Sequence, residues 1–71
     1  MRELELQGRR YWILSEPLED FWRSSVVELI DSSGDQTEPV GIEASAVTRT
    51  AADEAAERKL RRLLQLPPSR R

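Results

Sequence analysis

The sequence predicts a small α+β domain, in which one C-terminal helix packs on one face of a small antiparallel three-stranded sheet. Two observations lead to this prediction. Apolar and polar residues alternate over residues 40–47, which is typical of a half-buried strand. Residues 51–66 follow at once and place alanine, then leucine, on one stripe of an amphipathic helix. The helix must bury that stripe, and the segments before it are the only partner available.

The first half of the chain contains two short strand candidates. Leu4 and Leu6 alternate with glutamates, so residues 2–6 are a candidate fourth, N-terminal strand, followed at Gln7-Gly8 by a tight turn or a bulge. Residues 10–14 read Arg-Tyr-Trp-Ile-Leu and predict the clearest early strand, because aromatic and β-branched residues favour sheets. Proline and three acidic residues make residues 15–20 a predicted loop.

Residues 21–30 are the longest strand candidate. Neither of its two faces is purely apolar, so the sequence leaves open which one meets the helix, and a bulge near Ser24-Ser25 would change the answer. Residues 31–39 are rich in turn formers and acidic residues and predict a connection. In the strand that follows, we expect Glu43 and Ser45 to face water, with the helix-facing positions at Val40, Ile42, Ala44 and Ala46.

The predicted helix has recognisable start and stop signals. Thr50 followed by Asp53 resembles a capping box, and Thr48 is the alternative cap. Pro67-Pro68 would end the helix, which makes residues 1–66 one domain and residues 67–71 a disordered basic tail. The predicted buried stripe consists of Ala52, Ala55, Ala56, Leu60, Leu63 and Leu64, with Glu54, Glu57, Arg58, Arg61 and Gln65 opposite.

The composition bounds the class of protein. The 71 residues are close to the size at which one core is barely sufficient, so the chain relies on packing or on self-association. With no cysteine and no histidine, disulfides are excluded and a zinc site is not expected. No apolar run approaches the roughly 20 residues that span a bilayer, and no signal sequence is recognisable, so we expect a cytoplasmic protein without membrane contact.

The charges are unevenly distributed. All 13 acidic residues lie before Arg58, whereas six of the 11 basic residues follow from that position, at Arg58, Lys59, Arg61, Arg62, Arg70 and Arg71. This basic end could contact a nucleic acid, with Arg49 as a further candidate. The alternative is that cations near a helix C-terminus complement the helix dipole, which accounts for half of them.

One segment resembles a known family. Residues 41–60 (Gly-Ile-Glu-Ala-Ser-Ala-Val-Thr-Arg-Thr-Ala-Ala-Asp-Glu-Ala-Ala-Glu-Arg-Lys-Leu) resemble the strand-into-helix part of a double-stranded RNA-binding domain. The likeness extends over residues 10–66 and implies a truncated version of that fold, as in HicB-type antitoxin domains. The first helix of the family has no room before Arg10, and Asp53 and Glu54 stand where the family has a basic cluster, so the resemblance implies the fold and not RNA binding.

No catalytic, cofactor or metal site is predicted. Acid pairs occur at Glu19-Asp20, Asp53-Glu54 and Asp31…Asp35, but a chain this small has little room for a cleft that would separate two pKa values. The Asp31–Asp35 stretch lacks the ligand spacing of a calcium loop. The serine pairs have no histidine partner, and no small-molecule substrate is evident.

The aromatic residues are the remaining functional candidates, in two adjacent pairs, Tyr11-Trp12 and Phe21-Trp22. Neighbours in a strand point to opposite faces, so one member of each pair must face away from the helix. That member would either cover a sheet edge or belong to an exposed patch that binds a protein or a single-stranded nucleic acid. We therefore expect a non-enzymatic interaction module that contacts a protein partner or a second copy through its sheet face or edge. The predicted contact residues are Tyr11, Trp12, Trp22 and Arg23.

Overall fold

The computed structural model describes residues 2–31 and 33–65. These residues form β1 (Arg2–Leu6), β2 (Arg9–Pro17), β3 (Trp22–Leu29), β4 (Thr37–Ala46) and α1 (Arg49–Leu63). Each strand pairs antiparallel with the next, in the order β1-β2-β3-β4. The helix packs against β2, β3 and β4. The predicted α+β class is confirmed, and residues 2–6 do form the fourth strand.

Two strands are longer than predicted. Residues 15–17 extend β2 because they pair with β3, where Pro17, the last residue of its strand, lies opposite Trp22. Residues 37–39 extend β4, where Pro39 lies opposite Val27. An outer strand tolerates a proline because one side of its backbone has no neighbour to bond.

The sequence left open a bulge near Ser24-Ser25, and the structure has the bulge in the partner strand, β4. Ser25 pairs with Glu43 whereas Val27 pairs with Pro39, so three residues of β4 lie opposite one residue of β3. Gly41, at the centre of this insertion, has φ +86°, a conformation that residues with a Cβ rarely adopt. Because the extra residues are in β4, successive side chains of β3 still point to alternate faces of the sheet. Trp22, Ser24 and Val26 lie on the helix side.

The core lies between the sheet and α1. Ala52 and Ala56 are fully buried, and their small side chains let the first turns of the helix lie close to the strands. The central cluster consists of Leu6, Tyr11, Ile13, Val26, Ala44, Ala56 and Leu60, with Leu4, Val40, Ile42, Ala55 and Leu64 packed against it.

Both predicted ends of the helix require correction. Thr48, the alternative cap that the sequence offered, is the N-cap in place of Thr50, since its side-chain oxygen accepts a hydrogen bond from the Ala51 N–H at 3.1 Å. The helix therefore begins two residues earlier than predicted. It also ends earlier, at Leu63, because Gln65 adopts a left-handed conformation with φ 59° that closes the last turn.

Two side chains of the helix lie elsewhere than predicted. Leu63 is 58% exposed, because it is turned about 60° away from Leu60, whereas Leu64 continues the row of Leu60 along the core. Asp53 is buried instead of capping the helix, and its Oδ1 accepts a hydrogen bond from the buried Ser24 Oγ at 2.6 Å. This bond joins the first turns of α1 to the middle of the sheet.

No helix within the described residues is long and apolar enough to cross a lipid bilayer. The predicted basic tail, residues 67–71, lies outside the described residues, together with Arg70 and Arg71.

Candidate protein-binding surface

One face of the sheet is turned away from the helix, and we call it the open face. Its central side chains alternate with core residues along the two inner strands: Trp12 and Leu14 on β2, Ser25 and Val27 on β3. Trp12 lies opposite Val27, and Leu14 lies opposite Ser25. These pairs form an apolar strip along the middle of the face, in which Leu14 is 40% exposed.

Ion pairs border this strip at both ends. Arg10 bonds to Glu3 on the neighbouring strand β1. Arg23 Nη2 donates to Glu16 Oε2 at 2.7 Å beyond Leu14, and both side chains are about half exposed. Exposed pairs of this kind contribute at most about 1 kcal/mol to stability. Their importance here is that they fix charged groups in defined positions around an apolar centre.

The connection between β3 and β4 covers part of the open face. A Cβ atom on Gly34 would lie 3.1 Å from Cη2 of Trp12 and 3.8 Å from Leu29, so the backbone of the connection rests against both side chains. Gly34 also has φ +81°, which favours glycine independently of the space available. This contact explains why Leu29 is buried although it lies outside the central core cluster.

Asp31 holds that connection in place. Its Oδ1 accepts hydrogen bonds from Ser33 Oγ and from the backbone N–H groups of Gly34 and Asp35. Desolvation of the carboxylate raises the pKa of Asp31, but the Ser33 bond and the bonds from Gln36, Gly34 and Asp35 outweigh it and hold the pKa below 3.8. The ionised form, which accepts all these bonds, therefore prevails at neutral pH.

A shallow depression lies beside Leu14 on the open face. It is lined by Leu14, Ser15, Glu16, Arg23, Ser25 and Glu43. The small side chain of Ser25 leaves this space next to the projecting Leu14. The open face thus presents an apolar projection and a neighbouring recess.

The structure separates the four predicted contact residues. Trp12 and Arg23 lie on the open face, with Trp12 half-buried beneath Gly34 and its indole Nε1 buried without an acceptor among the described residues. Tyr11 is only 2% exposed and belongs to the core, so its ring is not available to a partner. Trp22 lies on the helix side, where Arg49 Cζ is 6.0 Å from its ring centroid and Arg49 Nε donates to Ser15 Oγ.

Compared with protein-family models, with curated proteins and with solved structures, the chain matches none. The resemblance to double-stranded RNA-binding domains therefore stays a prediction.

Some basic side chains of the predicted basic end form hydrogen bonds within the domain. Arg61 Nε donates to Glu57 Oε2 at 3.1 Å, and Lys59 Nζ donates to the backbone oxygen of Glu43 at 2.7 Å. Arg58 and Arg62 are exposed. Two of the four basic side chains that the structure describes on this part of the helix thus bond to the domain itself.

A second group of exposed apolar side chains lies at one end of the sheet. Leu18 and Phe21 flank the β2–β3 turn, and Val47 follows Ala46, which lies opposite Trp22. The exposures of Leu18, Phe21 and Val47 are 36%, 40% and 79%. Glu19 and Asp20 lie in the same turn, so this end combines apolar and acidic groups.

The outer strands of the sheet are poor templates for another strand. Pro39 lacks an N–H, the bulge at Gly41 distorts β4, and Lys59 occupies the carbonyl of Glu43. At the other edge, β1 has only five residues and alternates charged side chains with leucines. Features of this kind oppose edge-to-edge pairing in natural sheets.

Sequence reasoning missed Leu14 and Val27 as members of the surface. The signal that would have found them is the alternation itself. Once Tyr11 is placed in the core, Trp12 and Leu14 must point to the other face, and the pairing of β2 with β3 adds Val27. No pattern in the sequence indicates that Gly34 lies over Trp12, because the β3–β4 connection must first fold back onto the sheet.

Proposed function

We propose that this chain is a small, non-enzymatic protein-interaction module that binds a protein through the open face. The observation that carries the proposal is the apolar strip of Trp12, Leu14 and Val27 on a sheet face that the helix does not cover. A solvated face of an antiparallel sheet is usually polar. An apolar centre with a charged border is instead the composition of a protein interface.

The face, rather than an edge, is the surface that supports this proposal. Strand addition needs a regular row of free N–H and C=O groups, which the bulge, Pro39 and Lys59 interrupt along β4. Side-chain packing on the open face has no such requirement. The exposed Leu14 and the recess beside Ser25 provide a surface into which a partner side chain could fit.

The charges around the strip favour protein over nucleic acid. Glu3, Glu16 and Glu43 face this side of the sheet, against Arg10 and Arg23, both of which already bond to a glutamate. A phosphate backbone would meet more negative than positive charge there. Binding of nucleic acid at the basic end of α1 would be recognised by a steep dependence on salt concentration.

Site-specific cross-linking in cells that express the chain tests the proposal. A photoreactive benzoylphenylalanine replaces Leu14 on the open face, and in a matched control it replaces Glu54, which is exposed on the helix. We expect irradiation to join position 14, but not position 54, to a protein, either another copy or a different chain. Equal adducts at both positions, or none at position 14, would contradict binding through the open face.

A further inference from the structure

We infer that the β2–β3 turn and the residue after β4 form a second binding surface, which takes a short, basic, amphipathic segment of another protein. We call this surface the hairpin end, and it consists of Leu18, Glu19, Asp20, Phe21 and Val47. The inference goes beyond the proposed function, because the apolar strip of the open face takes no part in this surface.

Strand pairing brings the apolar side chains of the hairpin end together. Pro17 lies opposite Trp22 on the helix side, so the next pair, Leu18 and Phe21, points to the other side of the sheet. The Leu18 N–H donates to the backbone oxygen of Phe21 at 2.7 Å and closes the hairpin. Val47 directly follows the β4 residue that lies opposite Trp22 and extends this row. All three apolar side chains are exposed, and a cluster of this kind is typical of an interaction site.

The β3–β4 connection does not cover the hairpin end. Gly34 of that connection rests against Trp12 and Leu29, towards the other end of the sheet. Trp12 and Leu18 are six positions apart in the chain, which is roughly 20 Å in an extended strand. A partner therefore reaches the hairpin end without displacing the connection.

The charges of the hairpin end determine the chemistry of the partner. Within the described residues, neither Glu19 nor Asp20 forms an ion pair, and both are exposed. The arginines of the adjoining residues already have other partners, since Arg23 bonds to Glu16 and Arg49 bonds to a serine on the helix side. Two acidic groups beside three apolar ones are complementary to a segment that carries lysine or arginine next to apolar side chains.

The size of the hairpin end favours a short segment over a second folded surface. Standard protein interfaces use roughly 20–30 residues on each side, far more than the five residues of this surface. The basic end of α1 in a second copy is also a poor match, because the described part of that helix exposes only one large apolar side chain, Leu63. A peptide-like segment of a different protein meets both requirements.

Peptide titrations followed by ¹H–¹⁵N NMR at low salt test the chemistry of the site. The probe is a synthetic helical peptide with leucines on one side and lysines on the other. Matched peptides replace every lysine with glutamate, or every leucine with glutamine. We expect the leucine-lysine peptide alone to shift the amides of residues 18–21 and of Val47. Shifts that are absent from these residues, or equal binding of either matched peptide, would overturn the inference.

Charge variants test the location of the site. In E19K/D20K both acidic groups of the hairpin end are reversed, and we expect it to bind the leucine-lysine peptide at least about ten-fold more weakly than the wild type. The control E38K/E54K makes the same change in net charge at two exposed positions elsewhere and should bind like the wild type. Circular dichroism melts check that both variants are folded. An equal loss of binding in the two variants would contradict a localised site.

Cross-linking in cells that express the chain tests the kind of partner. Benzoylphenylalanine replaces Phe21, and mass spectrometry maps the peptide that is joined to it. We expect a segment of a different protein with basic and apolar residues. No adduct, an adduct without basic residues, or an adduct to residues 58–63 of a second copy would overturn the inference. The proposed function depends on position 14, so either result can fail while the other stands.

Discussion

The hydrogen bond between Ser24 and Asp53 is a buried polar contact between the helix and the sheet. Ser24 is fully buried, Asp53 is 6% exposed, and the two oxygens are 2.6 Å apart. A buried carboxyl group without a partner would be costly, so the bond favours the one placement of α1 that satisfies it. The sequence placed Ser24 on one of two alternative faces of its strand and assigned Asp53 to a helix cap. Neither residue type indicates a partner 29 positions away.

Replacing Ser24 with alanine is expected to destabilise the fold. The substitution removes the donor to Asp53 and leaves its carboxyl group buried, which costs about 1–3 kcal/mol. Ser25→Ala is the matched control, because Ser25 is the next residue and points to the open face, where the effect should stay within about 0.5 kcal/mol. Urea unfolding followed by circular dichroism measures both. Equal free energies of unfolding for the two variants would show that the buried bond contributes nothing.

At the scale of the elements, local patterns were sufficient to predict three strands and the helix, and they made residues 2–6 a candidate for the fourth strand. Alternation in residues 2–6 and 40–47 and the alanine-leucine stripe of α1 are signals within one segment. The ends of the elements were less predictable, because they depend on neighbours. Pro17 belongs to β2 only because Trp22 lies opposite, and the helix starts at Arg49 because Thr48 rather than Thr50 provides the cap.

The same distinction applies to the open face. The prediction that adjacent aromatic residues point to opposite sides holds for Tyr11 and Trp12, since one is in the core and the other lies under Gly34. Which of them faces the helix could not be read from the sequence, because both rings are large and amphipathic. Only the packed sheet shows that Tyr11 joins the core and that Trp22 is paired with Arg49.

The phase of the helix can be tested with two leucines three positions apart. Leu60 is fully buried in the core, so Leu60→Asp introduces a charge without a partner and should unfold the domain, whose stability is expected to be only about 5 kcal/mol. Leu63→Asp is the control, because Leu63 is 58% exposed and the change should cost less than about 1 kcal/mol. Thermal melts compare the two. A folded Leu60→Asp protein would refute the observed phase of α1.

At the scale of the whole molecule, one small core must stabilise the fold. A chain of 71 residues buries a modest share of its surface, and self-association would add stability by mass action. Association through the apolar strip of the open face should depend little on salt, whereas binding of an anionic partner at the basic end of α1 would weaken steeply as the salt concentration rises.

The measurement that tests most directly whether the open face binds another copy of the chain is a dilution series of two-dimensional ¹H–¹⁵N NMR spectra. The two tryptophan indole N–H signals provide a probe and its control, because Trp12 lies on the open face and Trp22 lies on the helix side beside Arg49. We predict that the Trp12 indole and the Leu14 and Ser25 amides shift together with concentration, with one dissociation constant, while the Trp22 indole stays constant. Spectra that do not change with concentration, or shifts confined to Trp22 and α1, would contradict self-association through the open face.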